Sequence, residues 1–195
     1  MTRSIDYRFI TTWRVTATCA EVTQILGDAR DLVRWWPSVY LDVEEIAPGG
    51  PDGVGRQVRL FTKGWLPYTL RWGFTVTDVD LPRGFSLRAT GDFVGSGVWH
   101  FEQVGPEVVV TYDWRIEVTK PLLRAFSFIF KPIFSANHLW AMRMGETSLK
   151  LELARRRASS PEARAAIPAP PGPTFATWLP ARSARALTPE RTTSG

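Results

Sequence analysis

Few side chains in this sequence can move a proton near neutral pH. There are two histidines, His100 and His138, and one cysteine, Cys19. General acid–base catalysis needs a tuned His, Glu, Asp or Tyr within hydrogen-bond reach of the proton it moves. His138 sits at the border of an apolar stripe of helical period, where it either faces a pocket mouth as acid or base or bonds a neighbouring backbone or loop. His100 follows Trp99 in a strand pattern and so points away from the face that Trp99 occupies. Tyr68 and Tyr112 alternate onto apolar strand faces, where each hydroxyl either orients a ligand carbonyl or satisfies itself against a facing helix. Asp92 follows Gly91 in a turn sequence, and Asp113 and Glu117 alternate outward with Arg115, which reads as a solvated face and leaves no paired-carboxylate site of the glycosidase kind.

Other chemistries lack their residues. There is no Gly-Lys-Ser/Thr phosphate loop, no strand-preceded GxGxxG, no GxSxG elbow and no HExxH. Two histidines on different elements with a single cysteine build neither a zinc site nor a disulfide framework, so no metal and no cofactor are expected.

The elements that must position these residues are marked by periodicity. Tyr7, Phe9, Thr11, Trp13, Val15 and Ala17 alternate with Arg8, Thr12, Arg14 and Thr16, which predicts a first strand. From Thr18 to Pro37 the spacing turns helical, with Val22, Ile25 and Leu26 on one side, a Gly27-Asp28 break, and Leu32 and Val33 beyond it, predicting two short helices. Between Val39 and Thr119 five turn signatures rich in Gly, Pro and Asp delimit six strands. Their short connections require antiparallel pairing. The clearest faces are Tyr68, Leu70, Trp72, Phe74, Val76 and Val108, Val110, Tyr112, Trp114, Ile116, Val118. A long helix follows from Pro121 to Arg157, with Pro132 predicting a bend or a break near Phe128 to Lys131.

The composition suits one domain with a real core: 195 residues, 44% hydrophobic, nine of them Trp. A net charge of +5 permits binding to nucleic acid or an anionic membrane, but residues 1–157 hold 20 Lys+Arg against 17 Asp+Glu and residues 158–195 hold 4 against 2, so the charge is diffuse. The one dense run, Arg155, Arg156 and Arg157, closes the long helix, where cations complement the dipole. Neither a nucleic-acid partner nor stable membrane insertion is expected, and the sequence names no protein partner. No apolar run approaches the roughly 18 residues of a membrane helix. The N-terminal residues lack a signal-like apolar core, which predicts a cytoplasmic protein. Residues 158–195 shift to Pro, Ala, Arg, Ser and Thr and are expected to be a disordered tail behind a domain spanning 1–157.

A strand, two short helices, a six-strand meander and a long terminal helix resemble the SRPBCC (START/Bet v 1-like) superfamily, in its polyketide cyclase/dehydrase and lipid transport branch. The phrases carrying the resemblance are Trp35-Trp36-Pro37, Lys63-Gly64-Trp65-Leu66-Pro67-Tyr68, Gly91-Asp92-Phe93-Val94-Gly95 with Trp99, and Asn137-His138-Leu139-Trp140-Ala141-Met142. It implies an α+β helix-grip fold, a curved seven-stranded antiparallel sheet around the C-terminal helix. It also implies a pocket between them, lined by Trp13, Trp36, Tyr68, Leu70, Trp72, Leu87, Trp99, Tyr112, Trp114, Phe126, Phe130, Ile133, Asn137 and Trp140, unless these aromatics interlock into a solid core. Three functions stay open: binding of a hydrophobic lipid-like or aromatic molecule as carrier or sensor; a cyclase or dehydratase with His138 as acid/base; and an interaction or regulatory role. No catalytic motif of the family can be matched residue by residue.

Overall fold

The computed structural model describes residues 5–118 and 127–174. The first strand, β1 (Ile5–Thr16), buries Tyr7, Trp13 and Val15 and exposes Arg8, Ile10, Thr12 and Arg14, as its alternation requires. The chain leaves it into α1 (Cys19–Leu26) through a reciprocal cap: the Glu21 N–H donates to the Thr18 hydroxyl (3.2 Å), and the Thr18 N–H donates to the Glu21 carboxylate (2.8 Å). Val22, Ile25 and Leu26 turn inward. A single 3-10 turn at Ala29–Asp31 re-aims the chain into α2 (Leu32–Trp35).

Six strands follow: β2 (Tyr40–Ala47), β3 (Gln57–Lys63), β4 (Thr69–Asp80), β5 (Gly84–Gly91), β6 (Val94–Val104) and β7 (Glu107–Val118). They form one antiparallel sheet of seven strands in the order β1-β7-β6-β5-β4-β3-β2. Consecutive strands pair by short turns, and β1 joins the far side of the meander by pairing with β7 from Ile5↔Val118 to Thr16↔Glu107.

The long helix α3 (Ser127–Arg157) packs on β1, α1 and α2, and buries Met142, Leu149 and Leu153. It runs through Pro132 without interruption, so the break considered from the sequence does not occur; one missing backbone bond is tolerated in so long an element. Ion pairs centred on one buried carboxylate lock it to the short helices. Glu152, 2% exposed, accepts two hydrogen bonds from Arg34 (2.8 and 2.6 Å) and one from Arg156 (2.8 Å), while Arg34 also clamps Asp31. Arg157 reaches Glu21 and the Thr16 carbonyl, and Arg155 donates to the Pro168 carbonyl. Each arginine of the run thus has a partner within the chain.

Of the stretch expected to be a disordered tail, residues 158–174 take a defined path. A short helix, α4 (Pro161–Ala165), is capped by the Ser160 hydroxyl, and an irregular Pro-rich segment then leads to Thr174, which contacts the β3–β4 loop. Among the described residues of that stretch, 158–174, none is buried. Its proline content did not argue against a strap pinned at Pro168 by Arg155 and at Thr174 by Lys63.

Candidate ligand cavity

The concave face of the sheet is filled at one end and hollow at the other. At the filled end Trp13 meets Trp36 edge-on (5.6 Å between ring centroids) and Trp99 at 5.5 Å, while Phe85 abuts Trp99 and Phe101. Such interlocking leaves no room for a guest. At the other end the sheet and α3 enclose a cavity of about 710 Å³, within the size range of small-molecule sites. Thr69 and Ile133 are the wall residues that remain exposed, placing the opening between the start of β4 and the N-terminal part of α3.

Trp36, Tyr68, Leu70, Trp72, Tyr112, Trp114, Ile133, Asn137 and His138 stand on the cavity wall. Trp13, Leu87 and Trp99 do not. They share the inward face but lie along the strands at the filled end, where they are core side chains. Trp140 also misses the wall: the helix presents 133, 134, 137, 138, 141 and 142, and at about 100° per residue Trp140 falls past the edge of that stripe. Phe126 and the Phe130 side chain lie outside what the structure describes. Residues not anticipated from sequence include Phe9, Tyr40, Lys63, Phe93, Ala141 and Met142. Phe9 follows from the β1 alternation, and Phe93 packs on Trp72 (4.9 Å) and Trp114 (5.7 Å) from within a phrase that had been noted. Lys63 carries no apolar signal and gave no sign of facing inward.

Some polar groups of the wall are engaged, while the Trp36 indole N–H is buried with no hydrogen-bond partner among the described residues. The Trp72 indole N–H donates to the Thr62 hydroxyl (2.9 Å), and the Trp65 backbone N–H donates to the Asn137 side-chain oxygen (3.0 Å). Gly64 is required beside that contact, because a Cβ there would overlap the Asn137 amide. Tyr112 stacks on Trp99 at 4.0 Å, and burial pushes the phenols of Tyr40, Tyr68 and Tyr112 above their ordinary range. Tyr7 is buried with its hydroxyl unpaired among the described residues. His138 stacks on Phe9 at 4.5 Å, its Nε2 3.3 Å from the Thr11 hydroxyl, and burial pulls its pKa down to about 4. At neutral pH it is an uncharged imidazole. His100 is exposed on the convex face. Among the described residues no cluster of His, Cys, Asp and Glu could hold a metal ion, and no helix is long and apolar enough to cross a membrane.

A curved sheet closed around a helix, with an apolar hollow between them, defines a helix-grip protein. Solved structures share this architecture. A START superfamily protein from Mycobacterium smegmatis is 17% identical, with a TM-score of 0.61 over 75% of this chain and 96% of that one. The Zhui aromatase/cyclase from Streptomyces sp. R1128 is 17% identical, with a TM-score of 0.60 over 80% and 98%. Norcoclaurine synthase from Thalictrum flavum, solved with dopamine and hydroxybenzaldehyde, is 16% identical, with a TM-score of 0.56 over 80% and 91%. No family model matches the sequence, and no curated protein matches it. The chain therefore has the helix-grip fold, and at these identities the likeness speaks to the fold alone.

Proposed function

We propose that this chain binds an apolar small molecule, aromatic or lipid-like, inside the cavity and acts as its carrier or sensor. The observation that carries the reading is the hollow itself, about 710 Å³, walled by Phe9, Trp36, Leu70, Trp72, Phe93 and Trp114. Rigid aromatic walls offer large contact area to a flat or chain-like guest at low entropic cost. The fold is shared by an aromatase/cyclase and by a synthase solved with dopamine and hydroxybenzaldehyde, which supports a guest of this general kind.

Trp36, Trp72 and Trp114 make the test direct, since a guest in van der Waals contact with them alters their emission. Titration with naphthalene-type and polyene fatty-acid probes is expected to change tryptophan fluorescence with a dissociation constant of about 1–10 µM or tighter. No saturable change with any probe would defeat the reading.

A cyclase or dehydratase in the same cavity is the second reading, favoured by His138 standing on the wall. Its depressed pKa argues against the role of acid at neutral pH, because the imidazolium is scarce there. Catalysis on this reading rests on cavity shape, with His138 as a weak base.

A further inference from the structure

Lys63 is out of place by composition. It closes β3 on the cavity wall at 8% exposure, and burial lowers its pKa. Among the described wall residues it carries the only ammonium, and the one carboxylate there, Asp92, accepts a hydrogen bond from the Arg71 backbone N–H (2.8 Å). A lysine on an apolar wall needs an oxygen to receive its N–H groups. The chain supplies one from a distant part of itself: Lys63 donates to the backbone carbonyl of Thr174.

Thr174 is the last described residue of a Pro-rich strap, Ile167-Pro168-Ala169-Pro170-Pro171-Gly172-Pro173-Thr174. Proline holds such a segment extended and removes its N–H donors, so its attachments are few. At one end the Pro168 carbonyl accepts from Arg155 near the C-terminus of α3. At the other, the Thr174 hydroxyl donates to the Gly64 carbonyl (3.2 Å), on the loop that Asn137 grips through Trp65. The strap thus ties the end of α3 to the β3–β4 loop, whose Gly64, Leu66 and Tyr68 belong to the cavity wall.

Resting on the cavity-binding reading, we propose that Lys63 anchors the carboxylate of an apolar acid bound in the cavity, and that the Thr174 carbonyl holds this place in the unliganded chain. A carboxylate brings a full opposite charge to the ammonium where the carbonyl offers only a neutral acceptor, so the acid displaces the Thr174 carbonyl. An alcohol of the same chain length has no such advantage.

The test pairs a polyene fatty acid with the alcohol of the same chain, titrated into the full-length protein. The acid is expected to bind about ten-fold tighter than the alcohol. Lys63→Met removes that preference while alcohol binding persists, which reports that the cavity is intact, and Lys63→Arg retains the preference. In a Cys19→Ser background, an environment-sensitive dye on Ala169→Cys, an exposed strap position, shifts its emission on saturation with acid and stays unchanged with alcohol. Equal affinity for acid and alcohol, or a preference that survives Lys63→Met, overturns the anchor. A dye signal indifferent to saturating acid overturns the strap's part in it. Failure of both probes to bind overturns the cavity reading and this proposal with it.

Discussion

His138 shows how much of a residue's chemistry depends on neighbours far away in the chain. Its own helix makes it a border residue. Phe9 and Thr11 of β1 make it a half-buried, neutral one. Its folded pKa of about 4 lies below the ordinary 6.5, so on acidification the unfolded chain takes up a proton before the native one does. The stability that neutral His138 leaves intact above pH 6.5 is therefore lost as pH falls toward 4. Over the window from 6.5 to 4.5 this amounts to roughly 2–3 kcal/mol. In His138→Phe, urea midpoints at pH 7 and pH 4.5 should differ by less than in the native protein, and proton NMR of the native protein should show one imidazole titrating near 4. A titration near 6.5 would mean that Phe9 does not cover the ring. Trp36 offers a second test: a Cβ at Gly145 overlaps its indole, so Gly145→Val should cost about 1–3 kcal/mol by overpacking and weaken probe binding at the wall that Trp36 shares.

At the level of elements, nearly everything regular was legible. Alternation of Tyr7 to Ala17 and Tyr68 to Val76 sets strand facing, because a slip of one residue would bury Arg8 or Arg71. What periodicity cannot reveal is which long side chains reach across elements. Arg155, Arg156 and Arg157 look alike in sequence, yet they hold the strap, Glu152 and Glu21 respectively. Glu152 is the centre of the clamp between α2 and α3. Burial alone would raise its pKa, but hydrogen bonds from Arg34 and Arg156 outweigh burial and lower it. Asp31 is held low as well, first by its hydrogen bonds from Arg34. The clamp is whole above the ordinary carboxylate range and is lost as pH falls through the depressed values. Glu152→Gln should cost about 2–4 kcal/mol by denaturant unfolding at pH 7, less than a fully buried pair because the Arg34 side chain is 52% exposed. At pH 3 the difference between variant and native protein should shrink. A variant as stable as the native protein at pH 7 would show that the pairs merely decorate the helix contact.

For the molecule as a whole, sequence patterning fixes which side chains face inward but not how far along each strand the helix fills the concavity. Trp13, Leu87 and Trp99 have the same parity as Trp72 and Trp114, and only packing depth separates core from wall. Lys63 was missed for the opposite reason: its type belongs on a surface, and it borders the cavity where β3 ends and its ammonium meets the Pro-rich strap. Cavity and strap are thus properties of the assembled fold.

The most direct test of the cavity is native mass spectrometry of the full-length protein with apolar aromatic and fatty-acid probes, beside Ala141→Trp, which places an indole inside the wall. A single one-to-one adduct on the native protein, lost on denaturation and lost in Ala141→Trp, is the predicted result. An adduct that Ala141→Trp leaves untouched, or no adduct with any probe, would contradict an internal binding site.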